Sequence, residues 1–223
     1  MDWKTRHRSF YYEHAPEPAD LVLPHNETAL LCIDVQNYGL VPRDTPEERA
    51  RWQPFLDRMH HTVLPKLAAL QHAFRAKGID VVHARIACQL DDGRDRSLVQ
   101  KLPGWNNLLM PKDSEASQIV PEVAPVGDEI VIVKTTDSAV TGTNLRFILH
   151  NMGIRNVVVT GIYTDQCVSS TVRALADESF RVVLIEDCCA AGTDALHRHE
   201  LEIMNMIYCN VMSSAELEAM MAL

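Results

Sequence analysis

Thr28-Ala29-Leu30-Leu31-Cys32-Ile33-Asp34 is the stretch whose reading decides the fold. From Ala29 to Ile33 no polar residue interrupts the run, so neither side of a strand here could face water, and Asp34 ends it with a carboxylate. The same pattern recurs downstream. Residues 79–85, 130–133, 156–160, 181–185 and 209–212 read as further strands, and Lys134 closes the third of the six as Asp34 closes the first. Helical spacing lies between them. Val63, Leu64, Leu67, Leu70 and Phe74 define one face over 60–77, with Gly78 as the stop. Leu145, Ile148 and Leu149 define another over 142–152, closed by Gly153, and residues 167–177, 194–207 and 215–221 read as helices too.

Strands alternating with helices, each strand an unbroken apolar run, predict an α/β fold of three layers, α/β/α, with a mostly parallel, Rossmann-like central sheet of about six strands. Residues 1–27 are polar and carry Pro16, Pro18 and Pro24, which predicts an irregular arm over the surface; residues 28–223 are expected to form a single domain. Asn37 to Pro54 reads as loop because of Gly39, Pro42, Pro46 and Pro54. The segment from about Ala87 to Gly127 is too long for an ordinary connection and is expected to cover a site.

Composition narrows the function. A chain of 223 residues with 47% hydrophobic and 23% charged residues is of ordinary globular make-up, not disordered or fibrous. Twenty-one basic against 30 acidic residues give a net charge of −9, and no basic run could track a phosphate backbone, so nucleic acid is not an expected partner. No stretch approaches the roughly 20 apolar residues of a membrane span, and the opening MDWKTRHRSF lacks the apolar core of a signal peptide, so a cytoplasmic protein is expected. The six cysteines include no CxxC pair and imply neither a disulfide framework nor a zinc site. The glycines form no GxGxxG array after the first strand, so no dinucleotide cofactor is expected.

In parallel α/β sheets ligands bind beyond the carboxyl ends of the strands. Asp34 and Lys134 stand there, and Cys167 follows the strand at 156–160 and the turn Gly161-Ile162-Tyr163-Thr164-Asp165-Gln166, at a predicted helix start. A helix dipole and a nearby ammonium would favour its thiolate, and the turn offers backbone N–H groups to an oxyanion. Taken singly each residue has a plain structural reading: a cysteine among apolar neighbours is more often packing, a strand-end aspartate a cap, a lysine a solvated charge. Their coincidence at one sheet edge makes them a candidate acid, base and nucleophile. Arg85, at the end of the second strand, could hold a polar or anionic substrate with its guanidinium fork, or form a surface ion pair. Trp105 could stack on substrate or pin the long insert, and Asn37 and Tyr38 are placed near the site by following Asp34. His197 and His199, two apart on a helix, cannot share a metal on one face, and His83 reads as a packed strand residue.

The string Gly161-Ile162-Tyr163-Thr164-Asp165-Gln166-Cys167-Val168 resembles the G-[IV]-x-T-x-x-C-V signature of the isochorismatase-like cysteine hydrolases. Lys134 with Ser138, Ala139 and Gly142-Thr143-Asn144-Leu145 is similar to that family's K-x-x-x-S-A-[FV]-x-G-T-x-L block, and Ile33-Asp34-Val35-Gln36 to its opening [IV]-D-x-Q. The resemblance runs from about residue 28 to 215. It implies a catalytic triad of Asp34, Lys134 and Cys167, and a non-proline cis peptide before Tyr163 that aims the N–H groups of Tyr163 and Cys167 at one oxygen. It further implies a small amide or ureide substrate, and a homodimer or homotetramer.

Three departures stand out. Gly39 replaces a common aromatic after the Asp, Asp137 replaces the aromatic before the Ser-Ala pair, and the Asp-x-His metal motif of nicotinamidases is missing, so no metal or other cofactor is expected. The rivals within and outside the family are enol-ether cleavage by Asp34 alone, and a thiol switch in which Cys188 or Cys189 resolves an oxidised Cys167.

Overall fold

The computed structural model describes residues 2–223. A six-stranded sheet, all parallel, forms its centre: β1 (Thr28–Ile33), β2 (Asp80–Ile86), β5 (Ile130–Lys134), β6 (Asn156–Ile162), β7 (Arg181–Ala190) and β8 (Asn210–Met212). Their spatial order is β5-β2-β1-β6-β7-β8, so β1 lies inside the sheet, hydrogen bonded to β2 on one side and β6 on the other. All six of its residues are buried, as an uninterrupted apolar run requires.

The helices divide between the two faces. On one, α2 (Pro46–Arg58), a single π-helical turn at Met59–Val63, α3 (Leu64–Ala76) and α7 (Ser214–Met221) pack Phe55, Met59, Leu67, Phe74 and Leu217 on Leu30, Val158 and Val183. On the other, α4 (Leu145–Asn151), α5 (Ser169–Asp177) and α6 (Asp194–Met204) pack Leu149, Val172 and Met204 on Leu31, Val159 and Leu184. Each such side chain, taken out of water, contributes roughly 1.5–3 kcal/mol.

Three expectations are corrected. The region expected to be loop up to Pro54 holds a one-turn helix α1 (Asn37–Leu40) and all but the last few residues of α2. Thr45 caps α2 by accepting from the Glu48 N–H at 3.2 Å, Pro46 sits in its first turn, and Glu47 and Glu48 meet the positive end of the dipole; Pro54 is accommodated inside. Strand β7 continues past Ile185 to Ala190, because its second half pairs again with β6 after a register shift, Gly161 opposite Cys189 and Ile162 opposite Ala190. The helix at 142–152 is shortened to α4, since the Thr143 hydroxyl turns back to bond the Ala139 carbonyl at 2.6 Å.

The arm before β1 is irregular apart from two short 3-10 turns, and it is fastened at two kinds of contact. Trp3 and Leu23 are buried in the first core, and Arg6 and His7 pair with Glu186, Arg6 also with Glu216. The long insert between β2 and β5 carries a two-stranded ribbon, β3 (Lys101–Leu102) with β4 (Asn106–Asn107), and folds back over the ends of β1 and β2. Among the described residues no helix is long and apolar enough to cross a membrane.

Candidate active site

The carboxyl ends of β1, β5 and β6 converge on one point. Asp34 leaves β1 with φ of 54° while its N–H still bonds Ala84 of β2 at 2.9 Å, which turns its side chain off the strand line. Lys134, the last residue of β5, is only 1% exposed and sets its ammonium 2.7 Å from the Asp34 carboxylate and 3.0 Å from the Thr136 carbonyl. Cys167 lies in the π-helical turn Thr164–Val168 that leads into α5, and its thiol is near enough to Asp34 and Lys134 for both charges to act on it. The peptide between Ile162 and Tyr163 is cis.

Neighbouring residues hold this arrangement. The Thr171 hydroxyl donates to the Cys167 carbonyl at 2.7 Å and accepts from the Ala139 N–H at 2.9 Å, tying the turn after β5 to the helix that carries the thiol. Ser138 caps the same turn by accepting from the N–H groups of Val140 and Thr141. Buried Gln36 joins the ends of β1 and β2 to the insert: its Nε2 donates to Ile86 O at 2.9 Å and Ser117 O at 2.8 Å, and its Oε1 accepts from Ile86 N. His197, under the turn, bonds the Thr164 hydroxyl at 2.8 Å and accepts from Arg58 at 2.9 Å, so it is neutral with its proton on Nδ1.

Burial governs the charges. It raises the Cys167 thiol well above its ordinary pKa, the Asp34 carboxylate raises it further, and Lys134 only partly opposes them. These influences oppose the helix-dipole stabilisation expected for its thiolate. Burial also raises Asp34, against the pull of Lys134. For Lys134 burial is the largest influence and acts downward, but Asp34 and Cys167 together outweigh it and raise the ammonium's pKa. Neither oxygen of Asp34 receives a well-directed hydrogen bond, so the ion pair leaves lone pairs free to take a proton. Removing one partner of such a pair would leave the other buried and uncompensated, at a cost of about 3–5 kcal/mol.

A cavity of about 80 Å³ opens onto Cys167 and Asp34. Since one water needs roughly 10–15 Å³ by the same measure, it suits a molecule of a handful of heavy atoms. Tyr38, Ile86, Ile162, Tyr163 and Gln166 line it, and the insert supplies Gln100, Asn106, Leu108 and Met110, as expected of a segment that covers a site. Tyr163 packs on Phe55 and Trp52, with ring centroids 5.2 and 6.0 Å away, and burial pushes its phenol up to about 12.

The other sequence candidates fall elsewhere. Asn37 faces the insert, donating from its side chain to Glu115 O and from its backbone to Gln118 O. Arg85 donates to Lys112 O at 2.9 Å and to Ser117 O at 3.1 Å, and so holds the insert rather than lining the cavity. Tyr38 lines the cavity and also an outer recess with Arg43, Trp52 and Trp105; Trp105 is 79% exposed there and pins nothing by burial. Sequence reasoning quoted Gln36 only as part of the Ile33-Asp34-Val35-Gln36 string and gave it no role, and it missed Gln100, Asn106 and Arg43, which the connections between strands bring in. Among the described residues no three His, Cys, Asp or Glu side chains group as metal ligands would.

An all-parallel α/β sheet with a carboxylate, an ammonium and a thiol at its strand ends places reactive groups where the class of open α/β folds binds its ligands. The chain belongs to the isochorismatase family: the Isochorismatase domain profile matches residues 28–216. It is 30% identical to N-carbamoylsarcosine amidase of an Arthrobacter species over 71% of this chain, which spans 58% of that relative's length. It is also 30% identical to ureidoacrylate amidohydrolase RutB of Acinetobacter baylyi, over 82% of this chain and 78% of the relative. Among solved structures, an isochorismatase family protein from Burkholderia thailandensis superposes with a TM-score of 0.73 at 26% identity, covering 92% of this chain and 98% of that one. The chain is thus a hydrolase of this family.

Proposed function

We propose that the chain is a metal-independent cysteine amidohydrolase that cleaves the C–N bond of a small amide or ureide through a thioester. The observation that carries this reading is the opening of one small cavity onto both the Cys167 thiol and Asp34, whose carboxylate is paired with the buried Lys134 ammonium and acts on the thiol. Two relatives named as an amidase and an amidohydrolase support it.

In this mechanism Asp34 takes the proton of Cys167 as the sulfur attacks the substrate carbonyl. The negative oxygen of the tetrahedral intermediate is received by the backbone N–H groups of Tyr163 and Cys167. Asp34 then passes the proton to the leaving nitrogen, the C–N bond breaks, and ammonia or an amine departs from a thioester. Water enters, gives a proton to Asp34 and attacks the thioester carbonyl; the sulfur leaves and recovers the proton. Lys134 compensates charge throughout and keeps Asp34 in place. The raised thiol pKa supports general-base activation at the moment of attack over a standing thiolate.

Cys188 and Cys189 are fully buried in β7, and burial holds the first thiol well above its ordinary pKa and the second at about 12, which disfavours them as resolving thiols. The test is ammonia release from a panel of small amides and ureides, with EDTA present, by the wild type and Cys167→Ser. Release by the wild type alone is expected. A Cys167→Ser protein that keeps most of the activity would sink the thiol mechanism, and silence of the wild type across the panel would move the reading to enol-ether cleavage by Asp34.

A further inference from the structure

Asp137 is the one cavity-lining carboxyl group that the mechanism leaves without a task. Its Oδ1 lies 3.8 Å from Cys167 Sγ. Its other partner is the Gln100 side chain, which donates to the same oxygen at 3.3 Å from the buried root of the insert. Among the described residues no lysine or arginine forms an ion pair with it.

The cations nearby have other commitments. Lys134 is bound to Asp34 and the Thr136 carbonyl, and Arg85 to the insert. Arg43 stands in the outer recess, its guanidinium 4.5 Å from the Trp52 ring and 5.7 Å from that of Tyr38. The cavity wall thus carries two carboxyl groups, Asp34 and Asp137, and no basic side chain.

Any group seated beside the scissile carbonyl meets a carboxylate that has no cation of its own. A carboxylate there would be repelled; an ammonium, or the N–H groups of a terminal amide or ureido unit, would find an acceptor. We propose that Asp137 is a specificity-determining residue that admits N–H-rich or cationic groups next to the scissile carbonyl and excludes acidic ones. The substrate class is then a neutral or cationic amide or ureide, with any acidic group kept far enough away to lie in the outer recess. This inference rests on reading the cavity as the amidohydrolase site.

The experiment compares the rates at which Cys167 is modified by 2-aminoethyl methanethiosulfonate, a cation, and 2-sulfonatoethyl methanethiosulfonate, an anion, with Cys167→Ser as the labelling control. Dividing the two rates cancels any change in thiol pKa, which affects both reagents alike, so the ratio reports the charge around the thiol. The wild type is expected to favour the cation beyond the preference of a free thiol in solution. Asp137→Asn, and Asp137→Ser as a second variant, should reduce that excess about fivefold or more, because one removed charge shifts the two rates in opposite directions. A ratio unchanged within twofold in both variants overturns the proposal, as does a wild-type Cys167 that neither reagent reaches. The measurement needs no turned-over substrate, so silence in the ammonia panel with a shifted ratio would refute the amidohydrolase reading alone.

Discussion

Replacing Gly161 by alanine would test whether close backbone approach between β1 and β6 is what sets the acid beside the thiol. Gly161 has φ of +118°, a region L-residues rarely adopt, and an added Cβ would stand 2.0 Å from the Ile33 carbonyl oxygen and 2.7 Å from its nitrogen. Real Cβ contacts essentially never fall below 3.0 Å, so the two strands would have to part by about 1 Å or more, against a normal spacing of about 4.8 Å. Backbone strain of this kind costs roughly 1–3 kcal/mol, and loosening the ladder at Ile33 adds to it, so a loss of at least about 3 kcal/mol is expected. The parting falls one residue before Asp34 and six before Cys167. Lys134 lies on the β2 side of β1, so the ion pair would move as a unit while the thiol stays with β6. Misplacement by about 1 Å costs on the order of 100-fold in rate. Urea unfolding of the wild type and Gly161→Ala, with turnover of the same amide, measures both effects. A variant within about 1 kcal/mol of the wild type and fully active would refute the argument.

The His197 imidazole is pulled down to about 3, first by burial and then by the Arg58 charge, whereas an unfolded chain titrates it near 6.5. Its contribution to stability is therefore complete above about pH 6.5 and is lost as the pH falls toward 3. Urea unfolding should show the wild type losing roughly 2 kcal/mol more than His197→Gln between pH 7 and pH 5; parallel slopes would contradict the assignment. Arg85→Met should make the insert around Lys112 and Ser117 more sensitive to protease while leaving the preference between acidic and neutral substrates as it was. A changed preference without protease sensitivity would restore Arg85 to the substrate.

The parts of this molecule that sequence made legible are those in which one residue type has one physical solution. An apolar run such as Ala29 to Ile33 has to be buried on both faces, and a charge that ends such a run, Asp34 or Lys134, has to stand at the strand's carboxyl edge. Helix α2 was obscured by Pro42, Pro46 and Pro54, although Thr45-Pro46-Glu47-Glu48 is a helix start in itself: a capping hydroxyl, a proline at the first position and two acids on the dipole. The far half of β7 was obscured by Glu186 and Asp187, which read as an exit from the sheet; the one answers the arm through Arg6 and His7, the other Lys66 and Ser214. The cavity wall was the least legible part. Gln100, Asn106 and Met110 reach it through a connection with no periodicity, so their direction depends on contacts distant in sequence. Arg85 was placed at the correct edge, but which neighbour its guanidinium answers is decided by Lys112 and Ser117 folding back on it.

Because the sheet keeps two separate cores apart, residues adjacent in β1 belong to different packing communities: Leu30 and Cys32 to one, Ala29, Leu31 and Ile33 to the other. Substitutions can accumulate in either layer with little demand for compensation in the other. The turn after β6 is where that independence ends. Ile162 and Tyr163 are moored to the first core, while Cys167 and Val168 are moored to the second. A drift in either layer is therefore felt at the thiol, and these few residues are the seam along which both halves of the interior must keep agreeing.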